Sequence, residues 1–371
     1  MITTGPQQFC PGCTSAQAFM YNYCMLHRQP PFSGFVTPVY TLGNLGPAAE
    51  ALRAGGLVVF PTETVYGIGA SALLDHAVAR IFQAKGRPQD NPLILHIHST
   101  ALLADAVSSV PRSAELLFEA FSPGPLTIVL PKARRVSPLV TAGLPTVGIR
   151  IPSHPVAREF LEMCKVPVAA PSANISGEPS PTSLEMALSG LDAKVDCAVD
   201  GGFCQHGIES TIVRCSDDEV VLLRPGAITL EMIASCLEEE LPGVRVRVPA
   251  AEGGGDVAPA RPEAPGMSYR HYQPRAEVWV TERVDGARTR KRFHGRRFGV
   301  IAMNRPPVGV GPATPVYVMN SAEEYAHLLY RKLVWFDDQG CEVIIAELPP
   351  PHGVGLAVRD RLQRAAGGQE L

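Results

Sequence analysis

The sequence predicts an α/β protein of two domains. Its 371 residues exceed what a single core of about 150 residues needs. From Val39 to about Leu241 short apolar runs alternate with amphipathic segments, as strands and helices do in turn. From Pro242 to Pro265 the chain turns to Pro, Gly, Ala and Glu without a period, and a second, shorter alternation then runs to the C-terminus.

The elements follow in order. Ala48 to Ala54 reads as a helix that stops at Gly55-Gly56, and Leu57 to Phe60 as a buried strand. Asp75 is expected to cap a helix that carries Val78, Ile81 and Phe82 on one face. Leu93 to His98 alternates, placing Leu93, Leu95 and Ile97 on an apolar face and Ile94, His96 and His98 on the other. Further strands are expected at Leu126 to Leu130, Val147 to Ile151, Val166 to Ala170, Ser210 to Arg214 and Val220 to Leu223, with helices at Val156 to Cys164 and Leu184 to Leu188. Beyond the linker, Glu277 to Val280, Phe298 to Met303, Val316 to Met319 and Val343 to Leu348 read as strands, and Glu323 to Val334 and Val358 to Ala365 as helices.

Composition narrows the function. Hydrophobic residues at 46% against charged residues at 19% allow packed cores over most of the length. A formal net charge of -3 excludes a protein that grips nucleic acid over its whole surface. No apolar run approaches the ~20 residues of a membrane span, and the N-terminus lacks a signal-peptide pattern, so a cytoplasmic protein is expected. The nine cysteines are odd in number and scattered, unlike a disulfide framework. Cys10, Cys13, Cys24 and His27 have a spacing that can close a tetrahedral zinc site; the other reading is a disordered or untranslated leader, because Met20 and Met25 can each be a start.

Two loops carry the chemistry. Lys85-Gly86-Arg87, followed by Asn91, lies at a helix end. Its cations serve either as dipole and solvent partners or, held by Pro88 and Pro92, as a polyphosphate site, and spacing alone leaves these readings level. Pro171 to Gly177 follows an apolar strand and offers hydroxyl and amide groups where α/β sheets bind ligands, though such a loop is first of all a turn.

Seven motifs in order raise the specificity: PTETVYGIG at Pro61, KGRPQDNPL at Lys85, SPGPLT at Ser122, TVGIRIP at Thr146, APSANISG at Ala170, ESTIV at Glu209 and LRPG at Leu223. Together they resemble the YrdC-like domain of threonylcarbamoyl-adenylate synthases. PGMSYRHYQP at Pro265 and GLAVRDRLQRAA at Gly355 resemble the connector and the end of the second domain of the two-domain members, the latter more loosely. The resemblance covers about residues 39–371. It implies a YrdC-like twisted open mixed sheet with helices at 39–241, a linker and lid at 242–274, and a smaller Rossmann-like α/β domain at 275–371, after an N-terminal extension at 1–38.

The resemblance also implies an activity. L-threonine, bicarbonate or carbon dioxide, and ATP carried with Mg2+ would give threonylcarbamoyl-AMP and pyrophosphate. A transferase complex would then pass the group to tRNA as N6-threonylcarbamoyladenosine; direct tRNA binding is not required. Lys85 and Arg87 match the catalytic cations. With Arg224 they match the phosphate contacts, and Asn91, Thr146, Ser172, Asn174, Ser180, Tyr269 and Tyr272 the other nucleotide contacts. Thr64, His96, Arg150, Ala170 and Ser210 match the threonine side, Arg150 as the carboxylate clamp. On the residues alone, Thr64 and Ser210 read as turn or strand hydrogen bonding and His96 as a core histidine. No residue is assigned as an obligatory general base, and no protein-held metal is expected in the site.

Two rival readings remain. A non-catalytic RNA-binding module would use the basic stretch Arg283 to Arg297, which is equally a solvated loop between strands. A carbamoyltransferase of metal-cluster maturation ranks last, because an acylphosphatase-like domain and paired-cysteine fingers would be expected ahead of this domain.

Overall fold

The computed structural model describes residues 34–249 and 271–371. Cys10, Cys13, Cys24, His27 and Tyr269 lie outside the described residues. All elements below belong to the unit Val36–Leu371.

The larger sheet contains β1 (Val39–Tyr40), β2 (Val58–Phe60), β3 (Gly67–Ser71), β4 (Ile94–His96), β5 (Leu126–Pro131), β6 (Thr146–Arg150), β7 (Val168–Ala170), β8 (Cys197–Val199), β9 (Thr211–Cys215), β10 (Glu219–Arg224) and β11 (Arg245–Arg247). Their order across the sheet is β1-β8-β2-β3-β7-β4-β6-β5-β9-β10-β11. Pairing is mixed: β4 runs parallel to β6 and antiparallel to β7. The helices are α1 (Gly46–Arg53), α2 (Asp75–Lys85), α3 (Leu103–Ala106), α4 (Arg112–Phe121), α5 (Pro155–Cys164), α6 (Leu184–Leu191) and α7 (Leu230–Glu240). Ala48 and Leu52 of α1 and Phe160 and Leu161 of α5 bury against Val58 and Phe60 of β2. The Leu, Val and Phe side chains among these each contribute about 1.5–3 kcal/mol when fully buried. Leu52→Ala would open a cavity at the centre of that layer.

The second sheet is all parallel, with β12 (Glu277–Thr281), β13 (Phe298–Met303), β14 (Val316–Met319) and β15 (Val343–Glu347) in the order β12-β15-β13-β14. Its helices are α8 (Gly286–Arg292), α9 (Ala322–Asp338) and α10 (Val354–Ala366). Ser321 caps α9 by accepting from the Glu324 amide at 3.1 Å. Along α9, Tyr325, Leu329, Tyr330, Leu333 and Phe336 are buried at helical spacing, and their cluster takes in Val65, Ile208 and Tyr272 as well. The apolar core of the second sheet thus continues to the wall of the first.

Several expectations change. Asp75 is the first helical residue of α2, and Leu74 precedes it without a side-chain cap. β4 is buried at Ile94, Leu95 and His96 alike, although only one of its faces reads as apolar. Arg245–Arg247, inside the expected linker, forms β11 alongside β10, where Arg247 donates to Glu219 at 3.1 Å. The expected charged loop at Arg283 to Arg297 contains α8, because Asp285 accepts from the amides of Ala287 and Arg288 at 3.0 and 3.1 Å. Arg292 stands over the Trp279 ring and Arg296 pairs with Glu277. β3 was not expected either. A Cβ at Gly69 would lie 2.8 Å from Val168 Cγ1 and 2.9 Å from the Phe60 ring, so the packing of β3 selects small residues that carry no apolar signal.

Candidate active site

The middle of the larger sheet forms the floor of a cleft. β4 presents Ile94 and His96, β6 presents Arg150 and β7 ends at Ala170; all four line the cleft. His96 faces Arg150 across the β4–β6 pairing, and Ile94 faces Ala170 across β4–β7. The mixed face expected from the alternation of Leu93 to His98 is therefore the cleft face.

Cations arrive from two directions. Lys85 is the last residue of α2, and Gly86 takes the left-handed conformation (φ 61°) that ends the helix. The Arg87 amide bonds back to the Phe82 carbonyl at 3.0 Å, which turns the Arg87 side chain toward the cleft wall. Lys85 Nζ donates to the Ser172 carbonyl at 2.6 Å and to the Asn174 carbonyl, tying α2 to the 171–177 loop. In that loop Ser172 donates to Asn174 Oδ1 at 2.6 Å, and Asn174 donates to the carbonyls of Ile175 and Glu178. Arg224, at the end of β10, donates through Nε and Nη2 to the Ser210 carbonyl at 3.1 and 3.0 Å. Ser210 shares a hydrogen bond of 2.8 Å with Thr127.

Of the residues matched by sequence, Lys85, Arg87, His96, Arg150, Ala170, Ser172, Asn174, Ser180, Ser210, Arg224 and Tyr272 line this one cleft. Thr64 does not: it is buried, its hydroxyl 2.8 Å from that of Thr62, and Thr62 takes the lining position. Asn91 is buried beside Arg87, whose Nε donates to its carbonyl at 3.3 Å, and its Oδ1 lacks a hydrogen-bond partner among the described residues. Thr146 lines a neighbouring hollow with Val129, Gly148 and Ile212, and Ile94 borders both spaces. Sequence reasoning missed Glu63, Glu209 and His271. The two glutamates sit inside motifs already quoted, but their partners, Arg150 and Arg361, are distant in the chain.

Burial governs the electrostatics. It pulls the Lys85 ammonium well below the usual lysine range, assisted by the charge of Arg87. His96 falls to about 3 through burial and the Arg150 charge, so it is neutral at pH 7. His271 falls to about 4, through burial and then Arg87. Burial pushes the Glu63 carboxyl upward, but Arg150 outweighs it and leaves Glu63 below the ordinary carboxylate range. At Glu209 burial is likewise opposed, by Arg361, Arg224 and the Ser180 hydroxyl, and the carboxyl drops to about 2.

A mixed α/β sheet with buried cations on one wall of a cleft and an arginine at its floor makes a site suited to anionic substrates such as phosphates and carboxylates. Comparisons narrow the class. Residues 50–226 match the Sua5, YciO and YrdC family described as telomere recombination, and residues 228–367 match the threonylcarbamoyl-AMP synthase C-terminal domain. The threonylcarbamoyl-AMP synthase of Pyrococcus abyssi is 44% identical over 329 residues, 86% of this chain and 93% of its own. That of Bacillus subtilis is 42% identical over 338 residues, 88% and 94% of the two chains. A crystal structure of P. abyssi Sua5 complexed with L-threonine matches with a TM-score of 0.79 at 40% identity, covering 90% of this chain and 98% of that one. Both sheets are included in these matches, and the chain belongs to the threonylcarbamoyl-AMP synthase family.

Proposed function

We propose that this chain joins L-threonine, bicarbonate and ATP into threonylcarbamoyl-AMP and pyrophosphate. The observation that carries the reading is the meeting of two sets of groups in one cleft: Arg150, His96 and Ser210 on the floor, and Lys85, Arg87 and Arg224 on the wall. Arg150 receives the threonine carboxylate, neutral His96 and Ser210 read its polar groups, and the three wall cations hold the triphosphate. Thr62, which lines the cleft where Thr64 does not, offers the hydroxyl on the amino-acid side. The nucleotide lies toward Asn91, whose buried side-chain oxygen is an available acceptor beside Arg87.

In the reaction the threonine amine attacks carbon dioxide and loses a proton, or attacks bicarbonate with loss of water, and gives a carbamate either way. A carbamate oxygen then attacks the α-phosphorus, and the bond to pyrophosphate breaks. Holding both substrates in line supplies most of the rate, because the chemistry needs charge compensation more than a dedicated base. Mg2+ fits as an ion that arrives on the triphosphate. The lining carboxylate, Glu209, is already engaged by Ser180, Tyr330 and Arg361, and among the described residues no group of three or more His, Cys, Asp or Glu is placed to hold a metal. When bound, the ion neutralises charge on the phosphates.

His271 and Tyr272 line the cleft, and the Gln273 amide bonds to the Gly177 carbonyl at 2.8 Å, so a lid formed by the connector would meet the site at these residues. The product passes to a transferase that modifies tRNA. Among the described residues no helix is long and apolar enough to cross a membrane, and a cytoplasmic location suits the substrates. The test is pyrophosphate release from ATP and Mg2+ with threonine and bicarbonate added or withheld, and with serine as a control. Release independent of threonine or bicarbonate from folded protein would overturn the proposal.

A further inference from the structure

Glu209 belongs to the wall of the cleft, yet two of its side-chain donors come from the second sheet's helices. Its Oε1 accepts from Ser180 Oγ at 2.5 Å, and its Oε2 accepts from Tyr330 OH at 2.9 Å and from Arg361 Nε at 3.0 Å. Arg361, on α10, is fully buried and lies 152 residues away in sequence. Its guanidinium also donates to Asp360 at 2.7 Å and stands 5.8 Å from the centre of the Tyr272 ring. The residue after Glu209 is Ser210, whose carbonyl fixes Arg224 through two hydrogen bonds.

A passive interface has no need of this arrangement. Buried charges are costly to desolvate, and a well-packed apolar pair of the same volume is often as stable or more so. What the charges add is direction. Three donors meet the two oxygens of one carboxylate, and that carboxylate adjoins the backbone that aims a wall cation.

We propose that Arg361, supported by Tyr330, is a positioning residue for the nucleotide side of the reaction. It fixes Glu209, and through Glu209 the Ser180 hydroxyl and the Ser210 carbonyl that orients Arg224. The C-terminal domain thereby sets ATP affinity from outside the cleft. This rests on the reading that places the triphosphate among Lys85, Arg87 and Arg224.

The test uses the full chain with Arg361→Met, Arg361→Lys and Tyr330→Phe, the last removing only a hydroxyl and keeping the packing. Misplacement of a wall group predicts a KM for ATP raised roughly tenfold to a hundredfold in Arg361→Met, with a smaller rise in Tyr330→Phe and, because Ser210 adjoins both substrates, a rise in the KM for threonine that stays well below that for ATP. Combining Arg361→Met with Glu209→Gln should raise the KM for ATP no further than the worse single change, because both act through one carboxylate. Folded variants with a lowered Tm but an unchanged KM for ATP, while Arg224→Ala raises it, would overturn the inference and leave the site reading intact. If Arg224→Ala and Lys85→Ala also left ATP affinity unchanged, the site reading itself would fall.

Discussion

Arg150 Nη2 lies 2.8 Å from Glu63 Oε1, and both side chains are buried, with exposures of 4% and 2%. The arginine proposed as the threonine clamp is thus held by a carboxylate that does not line the cleft. Removing one partner of a buried ion pair leaves the other charge uncompensated, so Glu63→Ala should lower stability by about 3–5 kcal/mol in urea unfolding. It should also raise the KM for threonine more than that for ATP, since only the floor arginine is released. Unchanged stability together with an unchanged threonine KM would show that Glu63 does not hold the clamp.

Lys85 gives a proton-linked signature. Burial and Arg87 lower its pKa well below that of a free lysine, and the triphosphate proposed to bind beside it would restore the charged form. ATP binding should therefore take up protons, increasingly as pH rises through the depressed pKa and by at most about one per site. Calorimetry in buffers of different ionisation enthalpy reads this uptake directly, and Lys85→Met should abolish it. Zero uptake by the native protein between pH 7 and 9.5 would mean that Lys85 stays charged without nucleotide, or never meets the phosphates.

Much of this site was legible from sequence because its residues lie within short motifs on adjoining strands and loops. The alternation of Ile94 and His96 already pointed to a mixed face. What sequence could not give was depth. Thr62 and Thr64 are equivalent in the string PTETVYGIG, and only the turn that buries Thr64 against the Thr62 hydroxyl separates them. Glu63 and Glu209 were illegible for a different reason: a buried carboxylate is defined by its partners, and Arg361 comes from another sheet. In the fold, buried apolar strands such as β2 and β5 were read correctly. β3 and β11 were missed because one is held by close glycine packing and the other by an edge pairing of exposed arginines.

Gly207 marks the contact between the loop ahead of Glu209 and α9. Its φ is +76°, and a Cβ there would lie 2.4 Å from the His327 carbonyl and 2.6 Å from that of Ala326. Because the neighbours are backbone, they cannot rotate aside. Gly207→Ala should cost about 1–3 kcal/mol from overpacking, with added strain from the left-handed backbone. The loop runs on into Glu209, so the same change should raise the KM for ATP. Thermal unfolding and steady-state kinetics on one preparation check both, and a wild-type Tm would show that the loop is free to move away from α9.

His96 sets an acid limit on stability. Its folded pKa of about 3 lies below the ordinary 6.5, so the folded protein keeps the ring neutral while an unfolded chain takes up a proton as pH falls below 6.5. The stabilising difference is complete above that value and is lost as pH drops toward the folded pKa, with a slope of about 1.4 kcal/mol per pH unit for one group. His271, depressed to about 4, adds to the slope in the same direction. Glu63 and Glu209 contribute stability that is present above their unfolded value of 4.5 and lost as pH falls through it, so most of the slope between pH 6 and pH 5 comes from buried histidines. Unfolding free energy measured across that interval should fall less steeply in His96→Gln, by about one proton's worth of slope. An identical slope in the two proteins would mean that His96 already carries its proton in the folded state.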